Sequence, residues 1–258
     1  MTNSSPNYDY TLETAKKLGK GDKPRILDFG CGRGQTVERG VELGLDVWGA
    51  DTFTADYANW REELPASISA KVQKIENGII DYPDDHFDVV TSNQVFEHID
   101  ELAPVLAEIN RVLKPGGVLL ALFPIKSTWF EGHVGLYFAH WLDFSPRLQW
   151  QYMHLMHKFG FGYYRNEESA SEWTTHSQKT LRETCFYHSG ASIQCHWNNI
   201  FGSSSRSYEA DYMRFRFSRH PKLKAVSRQV LSPLFSPLLK LVCLVRAGRV
   251  YVVRSRQI

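Results

Sequence analysis

The residues best suited to chemistry are crowded near the start of the chain. In RILDFGCGRG an aspartate, Asp28, and three alternating glycines, Gly30, Gly32 and Gly34, follow an apolar run. Glycines let the backbone turn tightly and let a ligand approach the main chain where a side chain would obstruct it. A helical pattern opens at Gln35, so the free N–H groups of its first turn face the same place and suit a carboxylate or phosphate. Asp51 closes the next apolar run, LDVWGAD, where an acid can accept from both ribose hydroxyls of a nucleoside. The dinucleotide fingerprint G-x-G-x-x-G would need glycine at position 35, and the chain has Gln35 there. Asp28 would repel a pyrophosphate but can accept from an amino group, so the loop suits a nucleoside with an amino-acid-like part.

Further along, Glu97 and His98 follow the strand pattern HFDVVTSN. They read either as a loop-ordering pair or, for His98, as a base with an ordinary pKa of ~6.5. The segment from Ile125 to His176 is dense in aromatics and histidines, among them Trp129, Phe130, His133, Tyr137, His140 and Trp141. These side chains either line an acceptor cleft, with His133 as a second candidate base, or form the segment's own core. His154 and His157 share a helical face but lack a paired carboxylate. The four cysteines form no C-x-x-C pair, so no metal site is expected.

The elements that must position these residues alternate. Arg25–Phe29 reads as a strand, Gln35–Leu43 as a helix stopped by Gly44, and Leu45–Asp51 as a second strand, which makes one βαβ unit. Helix Tyr57–Leu64, strand Val72–Ile75, strand His86–Asn93, helix Leu102–Leu113 and the strand after the turn Lys114–Gly117 continue the pattern. Helix Gln178–His188, strand Ala191–Trp197 and a last strand Val250–Arg256 complete it. The expected fold is a doubly wound, mostly parallel α/β sheet in a single domain, 1–258. Within it lie a cofactor-binding core at 25–124, an acceptor-cap insertion at 125–177 and a basic amphipathic insertion at 203–249.

ILDFGCGRG, WGAD, ENGIIDYPDDHFDVVTSNQVFEHI and RVLKPGGVLLAL resemble the successive motifs of class I S-adenosylmethionine-dependent methyltransferases, in the subgroup related to quinone biosynthesis. The resemblance covers residues 25 to about 124. It implies a seven-stranded Rossmann-like sheet and S-adenosylmethionine as cofactor. It implies that Asp28, Gly30, Gly32 and Gly34 surround the methionine part and that Asp51 holds the ribose. Thr52 and Phe53 would then flank the adenine, Glu76 and Asn77 would meet its amino edge and Ile79 its face, with Asn93, Gln94 and Val95 toward the methyl group. Glu76 stands where the family more often has Asp. A shorter resemblance, EGHVGLYFAHWL, is to methyltransferases of bacterial surface-glycan and glycolipid synthesis, and it tilts the expected acceptor toward a saccharide or lipid-linked saccharide, methylated on oxygen.

Composition narrows the rest. At 258 residues, 43% apolar and 22% charged, the chain has the make-up of a globular protein. From Tyr212 to Ile258 it places eleven of its 30 basic residues and none of its 28 acidic ones. That segment reads as a packed amphipathic element or as a peripheral contact with an anionic membrane. The apolar stretch Val230–Val245, broken by Pro233, Pro237 and Lys240, is too short to span a bilayer. The N-terminus has no signal-like apolar core, so a cytoplasmic location is expected. A noncatalytic cofactor-binding or membrane-recruitment protein of the same fold is the principal alternative. An RNA methyltransferase is the weaker one, since the body is acidic and carries no N-P-P-Y type motif.

Overall fold

The computed structural model describes residues 6–54, 59–166, 168–203, 205–220 and 232–256. In chain order the strands are β1 (Arg25–Phe29), β2 (Asp46–Asp51), β3 (Val72–Lys74), β4 (Phe87–Asn93), β5 (Leu113–Phe123), β6 (Phe130–Glu131), β7 (Leu136–Tyr137), β8 (Arg206–Ser207) and β9 (Arg249–Arg254). The helices are α1 (Pro6–Leu18), α2 (Gln35–Glu42), α3 (Asn59–Glu62), α4 (Leu102–Val112), α5 (Pro146–Lys158), α6 (Ala170–Thr184), α7 (Gly190–Phe201), α8 (Glu209–Arg219) and α9 (Ser236–Arg246).

Seven strands form one sheet in the order β3-β2-β1-β4-β5-β9-β8, as expected of a mostly parallel doubly wound fold. From β1 the chain winds outward to β2 and β3, then returns to lay β4 on the other side of β1, both neighbours parallel to it. Strand order therefore reverses between β1 and β4, and the carboxyl ends of these strands open a crevice there. β9 closes the sheet antiparallel to β5, with Val118 opposite Arg254 and Phe123 opposite Arg249.

Side chains of one strand alternate between faces, so each face has its own core. Leu119, Ala121 and Phe123 of β5 pack with Ile109 of α4 and Trp197 and Phe201 of α7. Val118, Leu120 and Leu122 face the opposite way, onto Tyr212 and Met213 of α8, Leu239 and Cys243 of α9 and Tyr10 of α1. The same face continues under β1 and β2, where Ile26 and Val47 meet Leu12 and Ala15 of α1 and Val37 of α2.

Several expectations are corrected. Residues 191–197 are not a strand but part of α7: Ser189 caps it by accepting the Ser192 N–H, Gly202 ends it in a left-handed conformation, and only Ile193, Trp197 and Phe201 are buried, at helical spacing. The helix expected at 178–188 ends at Thr184 and starts earlier, at Ala170, where the capping box of Ser169 with Glu172 sets its beginning. Lys114–Gly117 belong to β5, held by bonds between Gly116 N–H and Ser255 carbonyl and between Ser255 N–H and Gly117 carbonyl. The helix expected at 57–64 is seen at Asn59–Glu62, and Tyr57 lies outside the described residues.

Between β5 and α7 the chain forms the β6–β7 hairpin, α5 and α6, with a small core of their own around Val134, Leu136, Met153, Trp173 and Leu181. The boundary at 177 thus falls inside α6.

Candidate cofactor and acceptor site

β1 delivers Asp28 and the glycine loop to the crevice. Gly30 has φ +75°, and a Cβ there would lie 2.3 Å from a Val95 methyl, so both conformation and space demand glycine. At Gly32, φ +52°, a Cβ would come within 3.2 Å of the Trp60 ring. Gly34 plays a different part from the one expected. It caps α2 in a left-handed conformation, packs against Ile68 and does not line the pocket.

That pocket, about 520 Å³, is lined by Tyr8, Asp28, Gly30, Cys31, Gly32, Arg33, Gln35, Thr36, Trp60, Asn93 and Gln94, with Asn7 at its edge. Asp28 is buried and accepts from the Thr91 hydroxyl at 2.9 Å. Burial pushes its carboxyl up to about 7, against the bonds from Thr91 and Thr36 and with the negative charge of Asp51 adding to the rise. The buried Oδ1 of Asn93 has no hydrogen-bond partner among the described residues. A buried carboxyl that ionises readily only beside a cation and an orphaned amide oxygen both suit an ammonium group.

Asp51 Oδ2 accepts from the Gly32 N–H at 2.8 Å and Oδ1 from the Phe53 N–H at 3.0 Å. Each carboxylate oxygen retains a lone pair for a ribose hydroxyl. The expected adenine flank is only partly in place. Thr52 is exposed, whereas the Phe53 side chain is buried in the core with Ile68 and Val72. Glu76, Asn77 and Ile79 form an exposed Asn-Gly turn beyond β3, with Asn77 at φ +52° and Gly78 at φ +77°, outside the pocket. Val95 backs the glycine loop, and Gln94, at φ +58°, ends β4 where the pocket opens.

Asn7 and Gln94 also line a second cleft of about 520 Å³. Phe130, Gly132, His133 and Tyr163 form one wall, and Tyr212, Met213, Arg216, Phe217, Val242 and Arg246 the other. None of its lining residues is acidic. Arg216 donates to Asn7 Oδ1 at 2.8 Å, and Arg246 donates to the Tyr137 hydroxyl at 2.9 Å and stacks 4.3 Å from the Phe130 ring centre. Among the described residues neither guanidinium has a carboxylate within ion-pair distance.

His98 and His133, the two candidate bases, meet: their Nε2 atoms are 3.2 Å apart. Glu131 holds His133 by Nδ1 at 2.7 Å and by its backbone N–H, and also accepts from Val134 N–H and the Tyr187 hydroxyl. Burial would raise Glu131, but His133 and these donors hold its carboxyl below the usual range. Burial would lower His133, yet the neighbouring Cys185 and Glu131 lift it to about 10, while the two histidines bring the Cys185 thiol down to about 6 against its burial. Glu97 is buried behind them with neither oxygen hydrogen-bonded, and burial pushes it up to about 7. The expectation of no metal site rested on neighbours in sequence. Folding instead gathers His98, His133 and Cys185 into a group with one ligand atom of each within 4.8 Å of the others.

Sequence reasoning missed Asn7, Tyr8, Trp60, Cys185, Tyr187, Arg216 and Arg246 as site residues. Only α1 carried a readable signal, the apolar spacing of Tyr8, Leu12 and Ala15 that docks it beside the glycine loop. Of the eleven basic residues between Tyr212 and Ile258, Lys222, Lys224 and Arg228 lie outside the described residues.

Residues 27–121 match the family described as Methyltransferase domain. The ubiquinone biosynthesis O-methyltransferase of Bradyrhizobium sp. is 34% identical over 118 residues, 45% of each chain. A probable S-adenosylmethionine-dependent methyltransferase of Mycolicibacterium smegmatis is 32% identical over 107 residues, 42% of this chain and 40% of its own. The match thus spans less than half the length of these relatives. A solved SAM-dependent methyltransferase from Archaeoglobus fulgidus is 14% identical, covering 98% of this chain and 95% of its own with a TM-score of 0.49. With the glycine loop, Asp51 at the end of β2 and the β3-β2-β1-β4-β5 order all in place, residues 27–121 resemble the core of a class I S-adenosylmethionine-dependent methyltransferase domain.

Proposed function

We propose that the chain transfers the methyl group of S-adenosylmethionine to an oxygen of a small molecule or saccharide that also carries an anionic group, a lipid-linked saccharide fitting best. The observation that carries this reading is that the cofactor pocket and the second cleft are neighbours that share Asn7 and Gln94 in their linings. S-adenosylmethionine supplies a methyl carbon already activated by its sulfonium charge. What remains for the protein is alignment, which contributes ~7–11 kcal/mol at best. Asp28 and Asn93 hold the ammonium end, Asp51 the ribose, and Gln94 lines both cavities. Arg216 and Arg246 attract the anionic group of the acceptor, while Phe130 and Tyr163 give a sugar ring or apolar chain a surface to lie on. His98 and His133 are the polar groups placed to activate the acceptor oxygen.

The lipid-linked choice draws on α9. Its Val242 and Arg246 line the cleft, while Leu234, just before the helix, and Leu238 and Leu241 project outward, 87%, 54% and 52% exposed. Exposed leucines beside a segment with no acidic residue suit a peripheral contact with an anionic bilayer, at ~1 kcal/mol per basic residue near the surface. No helix among the described residues is long and apolar enough to cross a membrane.

The test is to incubate the protein with S-adenosylmethionine and matched free, phosphorylated and polyprenyl-phosphate-linked saccharides, following S-adenosylhomocysteine and the mass gain of each acceptor. The reading predicts methylation of the phosphorylated or lipid-linked members first. Tight cofactor binding without methylation of any acceptor would favour the noncatalytic alternative, and labelling of RNA the other.

A further inference from the structure

The two histidines at the acceptor cleft are oriented so that their lone pairs converge. His98 Nδ1 lies 2.6 Å from the Thr184 carbonyl oxygen, which can only accept, so Nδ1 bears the proton. His133 Nδ1 lies 2.7 Å from the Glu131 carboxylate, already fixed by the Tyr187 hydroxyl and two backbone N–H groups, so this Nδ1 donates as well. In the neutral form of each ring Nε2 is then the acceptor, and the two Nε2 atoms face each other at 3.2 Å. Two lone pairs stay that close only with positive charge between them, either a shared proton or a metal ion.

Three further observations favour the metal. Two nitrogens bound to a tetrahedral zinc at ~2.0–2.1 Å stand about 3.3 Å apart, close to the separation found. Cys185, just after α6, adds a sulfur to the group, 3.7 Å from His133 Nδ1 and within 4.8 Å of a ligand atom of each histidine. A carboxylate or carbonyl behind each ligating histidine is the usual outer support of a metal site, and here Glu131 and Thr184 provide both.

We propose that His98, His133 and Cys185 bind one divalent transition-metal ion, with zinc the best match to two nitrogens and a sulfur. Three protein ligands leave a fourth position open, and His133 lines the acceptor cleft. The ion's role there rests on the methyltransferase reading, although its binding does not. The acceptor hydroxyl coordinates the ion and loses its proton to solvent. Its oxygen then attacks the methyl carbon, forming the C–O bond as the C–S bond breaks and leaving S-adenosylhomocysteine.

The test uses Zn²⁺ and Co²⁺ alone on the full chain, stripped with a chelator and checked for metal by mass spectrometry. The expected result is one ion per chain, with a thiolate-to-cobalt charge-transfer band. Zn²⁺ affinity should fall at least about tenfold in His98→Ala and in Cys185→Ser, and the band should vanish in Cys185→Ser. Calorimetric binding of S-adenosylmethionine, unchanged in both variants, reports that they are folded. Zn²⁺ bound no more tightly by wild type than by Cys185→Ser, or a cobalt spectrum without the thiolate band, would overturn the proposal. Absent S-adenosylmethionine binding alongside normal Zn²⁺ uptake would instead sink the methyltransferase reading alone.

Discussion

The two ends of the crevice are built by different means. At the cofactor end, Asp28, Gly30, Gly32 and Asp51 come from one β-α-β unit, and much of what they do is fix backbone: Asp51 ties the glycine loop to its own strand through the Gly32 and Phe53 N–H groups. At the acceptor end, Asn7, His98, His133, Cys185, Arg216 and Arg246 come from segments far apart in the chain and act through side chains. Cofactor binding should therefore fail through local backbone geometry. Acceptor binding should fail through loss of single charges while the cofactor end stays intact.

The largest effect is expected at Gly30. Gly30→Ala forces a Cβ against Val95 at a left-handed φ, and strain of about 1–3 kcal/mol falls on the loop itself. A loss of S-adenosylmethionine affinity of about a hundredfold or more, read by calorimetry, with a lowered melting temperature, would fit; an affinity within twofold of wild type would break the claim that backbone geometry governs this end.

Next comes Asp28, whose carboxyl titrates near 7 in the ligand-free chain. An ammonium favours the ionised form, so S-adenosylmethionine affinity should rise by up to about tenfold per pH unit up to neutrality and then level off. The sign for stability is opposite. The folded pKa lies above the ordinary 3.8, so the stability of the ligand-free protein is greatest below that value and falls as pH climbs toward 7. Asp28→Asn should flatten both profiles while weakening binding at neutral pH. A variant that keeps the wild-type slopes would assign the titration to another group.

At the acceptor end, Arg246→Ala should raise the acceptor KM about tenfold, the value of a lost charge-assisted hydrogen bond, with the cofactor dissociation constant unchanged. If both constants move together, the two ends are coupled and the comparison fails. The smallest change should follow Leu238→Asp: weaker co-sedimentation with anionic vesicles, at an unaltered melting temperature because the side chain is exposed. Equal vesicle binding would remove the membrane surface from the account.

What was legible in the sequence follows the same division. Asp28, the glycines and Asp51 announced themselves because short-range spacing dictates a strand, a turn and a strand end. Residues 191–197 misled because ASIQCHW alternates apolar and polar residues, the period of a half-buried strand, while the deciding features, the Ser189 cap and the burial of every fourth residue, depend on packing against β5 and α4. Lys114–Gly117 read as a turn because their composition is that of one, yet Ser255, the residue after β9, supplies the partner that keeps them in the sheet. The histidine and cysteine cluster had no local signature at all. Its ligand types are separated by 35 and 52 positions, and the sheet, the hairpin and α6 bring them together.

The central claim, that the loop Asp28–Gly34 with Asp51 holds S-adenosylmethionine, is tested most directly by calorimetric titration of wild type and Asp51→Ala with S-adenosylmethionine and with NAD. The account predicts one S-adenosylmethionine site in wild type and no NAD binding, with an affinity loss of about tenfold to a hundredfold in the variant, since the acid supports two backbone bonds and the ribose. NAD binding by wild type, or S-adenosylmethionine binding indifferent to Asp51, would contradict it.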